Sequence, residues 1–150
     1  MFKTILVPVD LGEAEAARPA IDKAVEIARG NPESSIRLIY VRPIVPVTYM
    51  EFMPPAFDEE QQADADTRLA ELAGGVDLPA DRVSSVVGLG SVYNEVLNQA
   101  DKIGADLIVV GSHQPSMATY LLGSNAATIV RHARCSVLVV RGGSDQPHAL

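Results

Sequence analysis

Short β-branched apolar runs alternate with stretches of helical periodicity along the whole chain. The runs are KTILVPV (Lys3 to Val9), IRLIYV (Ile36 to Val41), RVSSVV (Arg82 to Val87), Leu107 to Val110, and SVLVVR (Ser136 to Arg141). Runs of this length without strict alternation suit strands buried on both faces of a parallel sheet. Between them apolar residues recur at helical spacing. Glu13 to Ala28 carries Ile21, Ala24, Val25 and Ala28 on one face, with Gly30 as a stop. Asp58 to Ala73 turns Ala65, Leu69 and Leu72 inward and ends at Gly74-Gly75. Ser91 caps a third helix running to about Ile103, with Val92, Val96, Leu97 and Ala100 buried. A fourth helix places Ala126, Ile129, Val130 and Ala133 together.

Two prolines qualify this picture. Pro8 cannot donate to a ladder, so pairing ends or becomes irregular there. Pro19 belongs in a first turn, so either an irregular turn precedes the first helix or that helix begins near Ala17. Strand alternating with helix predicts an α/β sandwich with a mainly parallel sheet and right-handed crossovers. A ligand then sits beyond the carboxyl ends of the strands, where strand order reverses. Val7-Pro8-Val9-Asp10, Val41 and Gly111 would border that crevice. The strand order itself is not readable from these patterns.

Arg42 to Phe57 departs from the alternation. Pro43, Pro46, Pro54 and Pro55 forbid a regular helix there, yet Ile44, Val45, Val47, Tyr49, Met50, Phe52 and Met53 are apolar. The segment reads as a flap that packs on its own helix, on a twin subunit, or on a ligand's edge.

Composition narrows the function. At 150 residues the chain is expected to form one domain over 1–141, with 142–150 a frayed tail. A net charge of −7 and no basic stripe give no support to a nucleic-acid partner. No apolar run approaches the ~20 residues that span a bilayer, and the N-terminus lacks a signal-peptide design. One cysteine excludes an internal disulfide framework, and the cytoplasm is the expected compartment. His113, His132 and His148 lack partners at metal-ligand spacing, so a metal would arrive with a ligand. His132, with Arg131 and Arg134, suits the negative end of the fourth helix. Cys135 reads as a packing residue.

The chemistry concentrates between Asp106 and Val130. The Leu107 to Val110 strand stops at Gly111, a polar loop follows, and Gly123-Ser124-Asn125 opens a helix. That order offers backbone N–H groups to a phosphate. No acid occurs from Gly123 to Thr128, whereas Glu13 and Glu15, and Asp58, Glu59 and Glu60, stand near other helix starts. A dipole end of about +0.5 elementary charge is left for an external anion. The competing reading is that Ser124 or Asn125 merely caps the helix.

Other nucleotide and hydrolase signatures are absent. There is no Gly-x4-Gly-Lys-Ser/Thr phosphate loop. Gly88-Leu89-Gly90-Ser91-Val92-Tyr93 has Tyr93 where a dinucleotide fingerprint needs glycine, and it follows the third strand; a tight turn is the better reading. No Gly-x-Ser-x-Gly elbow surrounds Ser112.

These residues resemble the universal stress protein family over nearly the whole chain, from KTILVPVD to CSVLVVR. The strongest match is Val110-Gly111-Ser112-His113 with Leu121-Leu122-Gly123-Ser124-Asn125-Ala126. Nucleotide-binding members carry Gly-x2-Gly-x9-Gly-Ser/Thr; here Gln114 replaces the second glycine and the loop is one residue shorter. The variant is similar to the F/G-type subgroup, with Pro115, Thr119, Leu121, Leu122, Gly123, Ser124, Asn125 and Ala126 in its loop. The resemblance implies a Rossmann-like three-layer fold with a five-stranded parallel sheet of order 3-2-1-4-5.

It also implies ATP, or alternatively ADP or AMP, with Mg²⁺ arriving on the nucleotide. Pro8, Val9 and Asp10 would line the adenosine, Asp10 meeting the ribose or holding a cation through water. Val41 would meet the adenine, and Val110, Gly111, Ser112, His113 and Gln114 would border ribose and phosphates. Gly123, Ser124 and Asn125 would bind phosphates. The implied assembly is a homodimer through the strand Val137 to Arg141, whose apolar edge is hazardous unless paired. A nucleotide-responsive stress regulator with protein partners is the expected function. Slow hydrolysis, or self-phosphorylation at Ser112 or Ser124, is the most chemistry expected. The rivals are a nucleotide-free interaction module using the flap and, last, an ATP-dependent enzyme.

Overall fold

A computed structural model describes residues 1–112 and 123–141. Its centre is a parallel sheet of five strands: β1 (Thr4–Pro8), β2 (Ser35–Arg42), β3 (Val83–Leu89), β4 (Leu107–Gly111) and β5 (Ser136–Val140), in the order β3-β2-β1-β4-β5. The helices are α1 (Arg18–Arg29), α2 (Val47–Met50), α3 (Phe57–Gly74), α4 (Val92–Ile103) and α5 (Ser124–His132). The expected sheet order is therefore the observed one. The tail expected over 142–150 lies outside the described residues.

Side chains alternate across each strand, and the two faces collect different helices. Ile5, Val7, Leu38, Leu107 and Val109 face α1 and α3, where Ala24, Ala28 and Leu69 are buried. Leu6, Ile39, Val41, Ile108 and Val110 face α4 and α5, around Val96, Ala126 and Ile129. The result is three layers, with the parallel strands covered on both sides.

The prolines act as their chemistry requires. Val9 N–H donates to Ile39 O at 2.8 Å, so odd-numbered residues of β1 bond toward β2. The nitrogen of Pro8 falls on the β4 side, where it cannot donate. Pairing with β4 accordingly stops at Leu6↔Ile108, although pairing with β2 continues to Pro8↔Ile39. Beyond that point β1 and β4 are free to part. Pro19 sits in the first turn of α1, behind a 3-10 stretch (Leu11–Ala17) broken at Glu13 (φ −139°, ψ 53°). The irregular turn comes first.

Several boundaries differ from the sequence reading. Val130 is exposed, so the buried face of α5 is Ala126 and Ile129. Arg134 lies past the end of α5, leaving Arg131 and His132 in its last turn. Ser91 precedes α4, but its side chain makes no capping bond. The flap does contain one helical turn, α2, which fits between Pro46 and Pro54. Val47 is 82% and Phe52 77% exposed, whereas Val45 and Met53 are half-buried.

Candidate functional site

The carboxyl ends of β1 and β4 flank a cavity of about 430 Å³, within the range of small-molecule sites. This is the point where strand order reverses, with β2 beside β1 on one side and β4 on the other. Pro8, Val9 and Asp10 come from the end of β1, and Val110 and Gly111 from the end of β4. Val41 enters from β2, and Gly123, Ser124 and Asn125 from the start of α5. His113 and Gln114, with the rest of the loop to Leu122, lie outside the described residues.

One end of the cavity is apolar. Ile39 and Val41 share a face of β2, and Val92, Val96, Ala126 and Ile129 come from α4 and α5. Pro43 and Gly90 close this end. Gly90 has φ +134°, a conformation that side-chain-bearing residues rarely adopt, and its N–H donates to Arg42 O at 2.9 Å. The expected tight turn is there, and it also forms part of the wall.

The other end is a helix terminus. The first α5 amide to bond back is Ala127, to Gly123 O at 2.9 Å. The N–H groups of Ser124, Asn125 and Ala126 therefore have no partner within the helix, and all three residues line the cavity. Gly123 is the N-cap position, and no side chain caps it. The simple reading, that Ser124 or Asn125 caps the helix, does not hold. Gly123 has φ −59°, which needs no glycine, and a Cβ there would meet nothing within 4 Å. Its missing side chain keeps the approach open. The absence of acid is less distinctive than the sequence suggests: α1 also lacks one in its first turn, because Glu13 and Glu15 lie in the preceding 3-10 stretch.

Asp10 stands at the rim. One carboxylate oxygen accepts from Gly12 N–H at 2.9 Å, which fixes the start of the 3-10 stretch. Glu13 and Ala16 add to the same side. Ser112 does not line the cavity. It is 2% exposed, its N–H donates to Val140 O at 2.9 Å, and its carbonyl accepts from Gly123 N–H at 3.2 Å. Its expected place beside the phosphates is replaced by a strut between β4, β5 and α5. Burial also sets it apart from exposed Ser124 as a candidate for modification.

Sequence reasoning missed Ile39, Pro43, Gly90, Val92 and Val96 as lining residues. Period-2 alternation from Val41 would have found Ile39. The α4 residues were legible as a buried face, but not as one facing a cavity. No group of three or more His, Cys, Asp or Glu among the described residues is placed to hold a metal. The groups present fit a nucleotide better than a resident ion: an apolar wall, three amides without a partner among the described residues, and one rim carboxylate.

Known proteins resemble this chain throughout. The profile of the Universal stress protein family matches residues 1–141. Universal stress protein G of Escherichia coli O157:H7 is 38% identical over 144 residues, covering 94% of this chain and 100% of the relative. Among solved structures, universal stress protein UspA from Lactobacillus plantarum superimposes with TM-score 0.74 at 25% identity, over 93% of this chain and 97% of that one. The universal stress protein from Archaeoglobus fulgidus in complex with dAMP superimposes with TM-score 0.63 at 18% identity, over 92% and 97%.

Proposed function

This chain belongs to the universal stress protein family, and from that premise we propose that its cavity binds an adenine nucleotide, ATP with Mg²⁺ foremost. The single observation that carries the reading is the junction of two chemistries in one cavity. An apolar slot from Ile39 to Ile129 suits a base, and the first three amides of α5, which have no partner within the helix, suit phosphates. A relative of this fold in complex with dAMP supports the choice of adenine. Asp10 would hold the ribose or the Mg²⁺ through water, and Gly123, Ser124 and Asn125 would hold phosphates. When bound, the metal would screen phosphate charge beside an acidic protein.

The role proposed is binding, with nucleotide occupancy read out as stress regulation in the cytoplasm. ADP and AMP are the alternative ligands. A thermal-shift series with ATP, ADP, AMP and GTP tests this. Adenine nucleotides should raise the melting temperature and GTP should not. Equal shifts for ATP and GTP would remove the base slot from the account.

A homodimer through β5 accompanies this proposal. β5 pairs only with β4 among the described strands, and Val137 to Val140 are half-buried on an open edge. Light scattering at micromolar concentration should give twice the 16.0 kDa chain mass; a monomeric mass would count against it. One observation favours a second reading, a partner-binding module that uses no nucleotide. Ile44, Val47, Tyr49, Met50 and Phe52 of the flap are exposed.

A further inference from the structure

Arg42 is the last residue of β2, and its neighbours Val41 and Pro43 both line the cavity. Strand alternation sends its own side chain to the opposite layer, toward α3. There the side chain is 8% exposed. Nη2 donates to Asp58 Oδ1 at 2.7 Å, and Nη1 donates to Gln62 Oε1 at 2.8 Å. A buried cation must be paired and hydrogen-bonded to persist, and two acceptors on successive turns of α3 satisfy it. Gln62 is in turn held by Asp66 through Nε2 at 3.3 Å.

The backbone of Arg42 does separate work. Its carbonyl accepts from Gly90 N–H at 2.9 Å, and Gly90 is a wall of the apolar slot. One residue thus ties together the end of β2, the Gly90 turn and the first turns of α3. The flap leaves the sheet immediately after Arg42 and rejoins α3 at Asp58. The ion pair therefore joins the two ends of the flap. Between them most side chains are exposed, and α2 contributes no buried residue.

We propose that Arg42 is a positioning residue. Through Asp58 and Gln62 it fixes the Val41, Pro43 and Gly90 wall and the root of the flap, without touching a ligand. This rests on the nucleotide reading above, since that wall is the one assigned to the base. The alternative is that Arg42 only anchors α3.

The variants Arg42→Met and Asp58→Ala distinguish the two. Amide hydrogen exchange is measured on the ligand-free chain, and ATP, adenosine and inorganic tripolyphosphate are titrated separately. Exchange at Gly90 should rise at least about fivefold in the variants, and the Kd for ATP and for adenosine should both rise. Tripolyphosphate affinity should stay at the wild-type level, which general loosening of the fold would not allow. Unchanged Gly90 exchange with unchanged adenosine affinity would overturn the proposal. Should the wild-type chain bind no nucleotide or nucleoside, the ligand reading fails, and Gly90 exchange alone decides the role of Arg42. A rise at Gly90 without a rise at the Ala127 amide then supports it, and unchanged exchange or an equal rise at both overturns it. Arg42→Met serves if Asp58→Ala does not fold, because Arg42→Met removes the buried charge whereas Asp58→Ala leaves it without its ion-pair partner.

Discussion

Gly123 N–H donates to Ser112 O at 3.2 Å, and Ser112 N–H in turn donates to Val140 O at 2.9 Å. This pair pins the start of α5 against the ends of β4 and β5, so the unpaired amides of Ser124 to Ala126 point from a fixed frame. Preorganised donors bind an anion without first being ordered.

Gly123→Val should separate fold from ligand. The backbone angles at Gly123 (φ −59°, ψ 154°) suit a β-branched residue, and its Cβ would meet nothing within 4 Å. Denaturation should therefore shift by no more than about 1 kcal/mol, the cost of placing valine at an N-cap. The added side chain stands in the phosphate approach, so ATP affinity should fall at least about tenfold, equivalent to about 1.4 kcal/mol. Unchanged affinity by calorimetry would place the phosphates elsewhere.

Asp10→Asn tests the rim carboxylate. The amide can still accept from Gly12 N–H, so the turn survives. Only the charge is lost. ATP affinities measured with and without Mg²⁺ should converge in this variant, while remaining apart in the wild type. A persistent Mg²⁺ effect would free Asp10 of that role.

Leu69→Ala probes the layer away from the slot. Leu69 is fully buried on α3 against the α1 face of the sheet. Urea unfolding should show a loss of about 2–5 kcal/mol from the lost transfer energy and the cavity left behind. The Kd for ATP of the folded fraction should not change, because Leu69 does not itself line the cavity. A parallel loss of affinity would mean that the two layers are coupled.

Burial pushes the Cys135 thiol above its ordinary value of 9.0; a backbone hydrogen bond opposes this, and Asp106 and Asp101 reinforce it. The folded chain thus holds the thiol proton more tightly than the unfolded one. This contribution to stability is present below pH 9 and is lost as pH rises through the folded value. Ellman's reagent should react with native Cys135 more slowly than with free cysteine at pH 8, and at the free rate after unfolding. Fast native reaction would contradict the burial argument.

The architecture was legible because parallel strands and amphipathic helices leave strong local signals. Ile21, Ala24, Val25 and Ala28 share a buried face, as their spacing requires. An irregularity at Pro8 was legible too, but that it falls on the β4 side of β1 was not. Long-range relations were not. That Arg42 reaches Asp58, or that Ser112 is a strut, depends on contacts that no local pattern encodes. The flap's apolar content was legible, but not what it meets: among the described residues nothing covers Val47 or Phe52.

Calorimetric titration of the purified chain with ATP, in the presence and absence of Mg²⁺, tests the central claim most directly. The account predicts micromolar, magnesium-dependent binding at one site per chain. No detectable heat at millimolar ATP, together with no thermal shift, would contradict it and turn the search toward protein partners of the flap.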